Sequence, residues 1–120
     1  MSRSGRRAAL RLAALLTTTG TLHFAAPKPF DAIVPTSLPG SARFWTYASG
    51  VVELGLAGLL ANPRTRRAGG TLAAAFFVAV FPGNVKAVRV LSHPALRAAA
   101  IARLPLQVPL VTQALAARDG

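Results

Sequence analysis

Phe44–Ala61, FWTYASGVVELGLAGLLA, is apolar over 18 residues apart from a single acid at its centre, Glu53. As a helix it covers about 27 Å, close to the hydrocarbon thickness of a bilayer. The chain holds only three acids, so a carboxylate there must be accommodated by its neighbours. Phe44, Trp45 and Tyr47 open the stretch as amphipathic rings do at a headgroup interface. Asn62-Pro63-Arg64-Thr65-Arg66-Arg67 closes it with a short basic turn.

Three further apolar blocks surround this one, so the 120 residues form a single all-α unit, an integral membrane four-helix bundle. The helices are expected over about 8–26, 44–61, 68–88 and 95–117. The first block follows a basic start, Arg3, Arg6 and Arg7, which also describes a signal or twin-arginine leader. Leu22 and Ala26 make a poor cleavage site, and three apolar blocks follow, so the segment reads as a retained first helix. Residues 27–43 hold Pro27, Pro29, Pro35 and Pro39. Missing amide donors exclude a spanning helix there, and Phe30, Ile33, Val34 and Leu38 are too apolar for a solvated linker. A structured loop lying back on the bundle mouth fits.

The third block carries Gly69, Gly70, Ala73, Ala74 and Ala75, small residues that allow close helix approach. Phe81-Pro82-Gly83-Asn84 interrupts it late. Pro82 frees the carbonyl of Val78, and Asn84 is the expected donor nearby. In the fourth block Pro105 and Pro109 free carbonyls along one side, which is expected to face protein.

Only 14% of residues are charged, against about a quarter in soluble domains, yet the net charge is +11. The basic residues lie beside and between the apolar blocks, which is the positive-inside pattern, not the basic face that nucleic-acid binding needs. With the N-terminus cytoplasmic, the inner side collects Arg3, Arg6, Arg7, Arg11, Arg64, Arg66, Arg67 and Arg118. The outer side has Lys28, Arg43, Lys86, Arg89 and Arg97. Eight against five places both termini inside. Cysteine is absent, so disulfides, thiol redox chemistry and cysteine-ligated metals are excluded for this chain alone. With two histidines and no cysteine, no metal site is expected.

His23, Glu53, Asn84, Arg103 and Gln107 are the polar residues that an apolar bundle must explain. On this topology all fall between the midplane and the outer mouth. Leu16, Thr19, Gly20 and His23 share one face of helix 1. Thr46, Ser49, Gly50, Glu53 and Ala57 share one face of helix 2. A charged side chain in lipid costs about 2.5–3.5 kcal/mol on insertion scales, so Glu53 and Arg103 are expected to pair across the bundle, with His23 and Gln107 completing the network. Such a pair either fixes helix register or lines a cavity for a polar headgroup, a quinone-like carbonyl or a partner's side chain. Ser49, His23 and Glu53 could compose a triad, but no Gly-x-Ser-x-Gly context supports it. No catalytic residue is assigned.

Gly20-Thr21-Leu22-His23-Phe24, Pro27, Phe30, Ile33-Val34-Pro35 and Leu38-Pro39 resemble the first helix and loop of small DoxX-like membrane proteins. The run Ser49-Gly50-Val51-Val52-Glu53-Leu54-Gly55-Leu56-Ala57-Gly58-Leu59-Leu60, followed by Thr65-Arg66, is similar to that family's second helix. Phe81-Pro82-Gly83-Asn84 resembles its Phe-Pro-Ala-Asn element, with Gly83 in place of alanine. The likeness covers Gly20 to Arg103 and places His23, Glu53 and Asn84 at family motif positions. It implies a four-helix protein of a bacterial inner or plasma membrane. Some members of that family are subunits of thiosulfate:quinone oxidoreductase, and others associate with membrane redox or detoxification complexes. The expected role is therefore an accessory or anchoring subunit, not an enzyme on its own, with the bilayer and a redox subunit or a second copy as partners. A quinone- or small-molecule-binding oxidoreductase subunit, or an assembly helper for another membrane protein, are the alternatives.

Overall fold

The computed structural model describes residues 3–119, which form six helices and, among the described residues, no strand. α1 is Arg3–Ala25, α2 Pro27–Ile33, α3 Ala42–Ala61, α4 Arg66–Ala79, α5 Phe81–Val90 and α6 Pro94–Asp119. Among the described residues, three segments are long and apolar enough to cross a membrane: α3, the α4–α5 pair and α6. α1 has the length, at 23 residues, but its arginines and threonines keep it outside that set.

α1 begins at Arg3, earlier than expected, because nothing in Ser4-Gly5-Arg6-Arg7 stops a helix from extending past its apolar block. The prolines that exclude a spanning helix over 27–43 start a short one instead. Pro27 stands at the head of α2, where its missing amide has no intrahelical role. The Ser41 hydroxyl accepts the Phe44 amide at 3.1 Å and so caps α3. The third block is two helices, broken at Val80 two residues before Pro82. Pro94 heads α6, and His93 Nδ1 accepts the Ala95 amide at 3.2 Å.

α1 packs against α3, α3 against α4, α4 against α6 and α6 back against α1, which closes a ring of four. A Cβ on Gly20 would meet Leu54 and Glu53, and one on Gly50 would meet Phe24 and His23, so α1 and α3 run antiparallel. Gly70 lies against Ala114 and Arg118, and Gln107 reaches Phe77, so α4 and α6 are antiparallel too. The long axis measures 42 Å. One half is a dry core of Leu12, Leu16, Leu56, Leu60, Phe77 and Leu110 with alanines between them. The other half, under α2 and α5, holds the polar side chains.

The two ends of the basic turn are tightly closed. Asn62 N–H donates to the Gly58 carbonyl at 3.2 Å, and the Thr65 hydroxyl to that of Leu59 at 2.8 Å. Arg66 donates through Nε to Leu60 at 2.7 Å and through Nη2 to Ala61 at 3.0 Å. All four carbonyls that a helix leaves without intrahelical donors at its C-terminus are thereby satisfied. The outside is apolar: Val51, Val78 and Val108 are about 60% exposed or more, and Phe44 is 59% exposed.

The expected protein-facing side of α6 is not observed. Ile101 and Pro105 lie on its exposed face. The helix turns its small residues, Ala100, Ala114 and Ala117, to the ring, because only these let α4 approach as closely as Gly70 does.

Candidate functional site

Helical periodicity brings His23 and Glu53 to the α1–α3 seam. Gly20 and Gly50 lie on that seam, each with the opposite helix against it. Both polar residues are 8% exposed. His23 Nδ1 is 2.6 Å from the Thr19 carbonyl and 3.2 Å from Glu53 Oε2. A carbonyl only accepts, so Nδ1 carries the proton and gives it to Thr19. Glu53 Oε2 therefore touches the ring nitrogen and still lacks a hydrogen-bond donor. The imidazole stacks on Phe30 of α2, with centroids 3.9 Å apart. That contact brings the proline-rich segment onto the site.

Glu53 and Arg103 form no direct ion pair, in contrast to the expectation. α3 and α6 occupy diagonal corners of the ring, and α1 stands between them. Arg103 Nη1 is buried without a partner. Gln107 donates Nε2 to the Phe77 carbonyl at 2.9 Å, one residue before the Val78 carbonyl that Pro82 frees, whereas the Asn84 side-chain amide nitrogen donates to neither. Gln107 Oε1 remains unpartnered, as does Asn84 Nδ2. Buried polar atoms are almost always paired, because leaving one without a partner costs about 1–3 kcal/mol. Glu53, Asn84, Arg103 and Gln107 each hold one such atom, from α3, α5 and α6.

Asp31 is a polar anchor that the sequence argument passed over. It accepts from the Thr46 hydroxyl at 2.6 Å and from Arg43 Nε at 2.8 Å. The Thr46 bond, then Arg43, holds its carboxyl below the usual carboxylate range. Lys86 Nζ donates to the Val34 carbonyl at 2.6 Å, and Trp45 Nε1 to that of Pro39 at 2.6 Å. Between these anchors lies an open cleft of about 390 Å³, lined by Asp31, Val34, Pro35, Trp45 and Lys86 among others. Glu53 does not line it, so the cleft and the His23–Glu53 contact are separate features. The signal that could have found Asp31 is its rarity: one of three acids, in the segment leading to Arg43. Among the described residues no three of His, Cys, Asp or Glu gather as a metal site would need.

Fold and site define a helical protein with three helices fit to cross a membrane and a polar cluster in one half. The chain belongs to the family described as a domain of unknown function, DUF8561, whose profile matches residues 12–118. Comparison with curated proteins and with solved structures gives no match.

Proposed function

We propose that this protein is a multi-pass plasma-membrane subunit, a four-helix bundle with both termini cytoplasmic, that binds a small polar ligand in its outer half and serves a membrane redox complex without catalysing a reaction itself. The four unpartnered buried atoms on Glu53, Asn84, Arg103 and Gln107 carry the reading. They offer donors from Asn84 and Arg103 and acceptors from Glu53 and Gln107, which suits a ligand with carbonyl and hydroxyl groups, as a quinone and its quinol have. The redox association rests on the likeness of the Glu53 and Asn84 segments to DoxX-like proteins.

α1 serves as the fourth crossing in this reading. Its threonine hydroxyls donate to carbonyls four residues back: Thr17 to Ala13 at 2.7 Å, Thr18 to Ala14 at 2.9 Å, Thr19 to Leu15 at 3.1 Å and Thr21 to Thr17 at 2.7 Å. Hydroxyls satisfied inside their own helix are tolerated in lipid. Arg3, Arg6, Arg7 and Arg11 lie within its first turns, where long side chains reach headgroups.

Trp45 is the chain's one tryptophan and stands on α3 about two turns from Glu53, so it can report binding in this half. Short-chain ubiquinone titrated into the purified protein in detergent should quench it saturably. Glu53→Gln should weaken that binding roughly tenfold or more, the loss expected for a charged hydrogen bond. Linear quenching that is identical in both proteins refutes the ligand site.

A further inference from the structure

The end of the bundle opposite that site holds a second cleft, of about 520 Å³, lined by Arg6, Leu10, Ala61, Pro63 and Arg66. It lies between the start of α1 and the α3–α4 turn. The antiparallel ring gathers Arg3, Arg6, Arg7, Arg64, Arg66, Arg67 and Arg118 at this end. Asp119 is the one side-chain carboxylate there, and both its oxygens are already bonded to Arg118, at 2.7 and 3.0 Å. The other two acids, Asp31 and Glu53, belong to the opposite half. Arg66 is occupied in closing α3, which leaves Arg6, exposed at the rim, to face outward with no ion pair to a described side-chain carboxylate.

The cleft combines this cationic rim with an apolar floor of Leu10, Ala61 and Pro63. An anion with a purely aqueous habitat has no use for that floor. A phosphate attached to acyl chains matches both parts, and clusters of arginine at the cytoplasmic ends of helices attract anionic lipid. We propose that this cleft is a binding site for the phosphate headgroup of an anionic phospholipid, with Arg6 as its principal contact and Leu10, Ala61 and Pro63 receiving the first acyl carbons. The site goes beyond the ligand reading above and depends only on its membrane part.

The test uses the full chain purified in a neutral detergent, with native mass spectrometry counting bound lipid. Phosphatidylglycerol, phosphatidylcholine and inorganic phosphate are added separately. Phosphatidylglycerol should be retained and phosphatidylcholine should not. Arg6→Gln should weaken retention about fivefold, the effect of one arginine at an anionic surface. Lys28→Gln, a charge removed from the opposite end, should leave it unchanged. Equal retention of the two lipids, or equal losses in Arg6→Gln and Lys28→Gln, overturns the site. Arg6-dependent retention of inorganic phosphate at the same concentration overturns the lipid as its occupant. Carbonate extraction of the same membranes scores insertion separately, so failure of the membrane reading is distinguishable.

Discussion

Arg66 counts as one loop charge in the orientation argument, yet its guanidinium is buried, 4% exposed, against the end of α3. Replacing it by alanine leaves the Leu60 and Ala61 carbonyls without donors and should cost at least about 2 kcal/mol of unfolding free energy, read by denaturant titration in micelles. Arg66→Lys should recover only part, because an ammonium does not span two carbonyls as the guanidinium fork does. Unchanged stability in Arg66→Ala contradicts the closure. Asp31 gives a pH signature. Its folded pKa lies below the unfolded value, so its contribution is complete above the ordinary aspartate range and fades as pH falls through the depressed value. Asp31→Asn should therefore melt below wild type at neutral pH, with the gap closing as pH falls below the ordinary aspartate range. A gap that stays constant on acidification contradicts the assignment. Glu53 and His23 were legible as residues because each is a polar group on an otherwise small, inward-facing stripe. Their direct contact was not, because depth along a helix follows from sequence but the lateral order of helices does not.

Elements meet here through glycine. A Cβ at Gly70 would stand 2.5 Å from the Arg118 amide nitrogen and 2.6 Å from the Ala114 carbonyl oxygen, both backbone atoms that cannot swing aside. Gly70→Ala should force α4 and α6 apart and cost roughly 1–3 kcal/mol. Gly58→Ala meets nothing within 4 Å and should be neutral or stabilise by about 0.5–1 kcal/mol, through the backbone entropy that glycine loses in a helix. Parallel melts of the two variants check the contrast, and equal shifts refute the close α4–α6 approach. The helix boundaries were largely readable from the apolar blocks and the prolines. The break at Pro82 was visible in the sequence, but its repair was assigned to Asn84, the nearest amide in the chain. The Asn84 side-chain amide nitrogen finds no partner, and Gln107 of α6 reaches the neighbouring Phe77 carbonyl, a contact that only the antiparallel register creates. Likewise, the prolines of 27–43 announced a loop and concealed α2, since proline forbids a helix interior but favours a helix start.

At the scale of the whole molecule, charge and polarity divide the bundle. Arginines gather at the end where α1 starts and α6 finishes, a dry core follows, and the His23–Glu53 contact and the unpartnered amides fill the far half under α2 and α5. A chain that crosses four times puts its two ends on one side and the α2–α3 loop on the other, whereas three crossings would separate the ends. The protein has no cysteine, so single cysteines can report this directly. Ser4→Cys, Ser37→Cys and Gly120→Cys, each expressed alone in intact cells, are exposed to a membrane-impermeant maleimide before and after permeabilisation. With four crossings, Ser37→Cys labels from outside and Ser4→Cys and Gly120→Cys label only once the membrane is opened. Labelling of either terminus together with Ser37→Cys in intact cells would contradict four crossings.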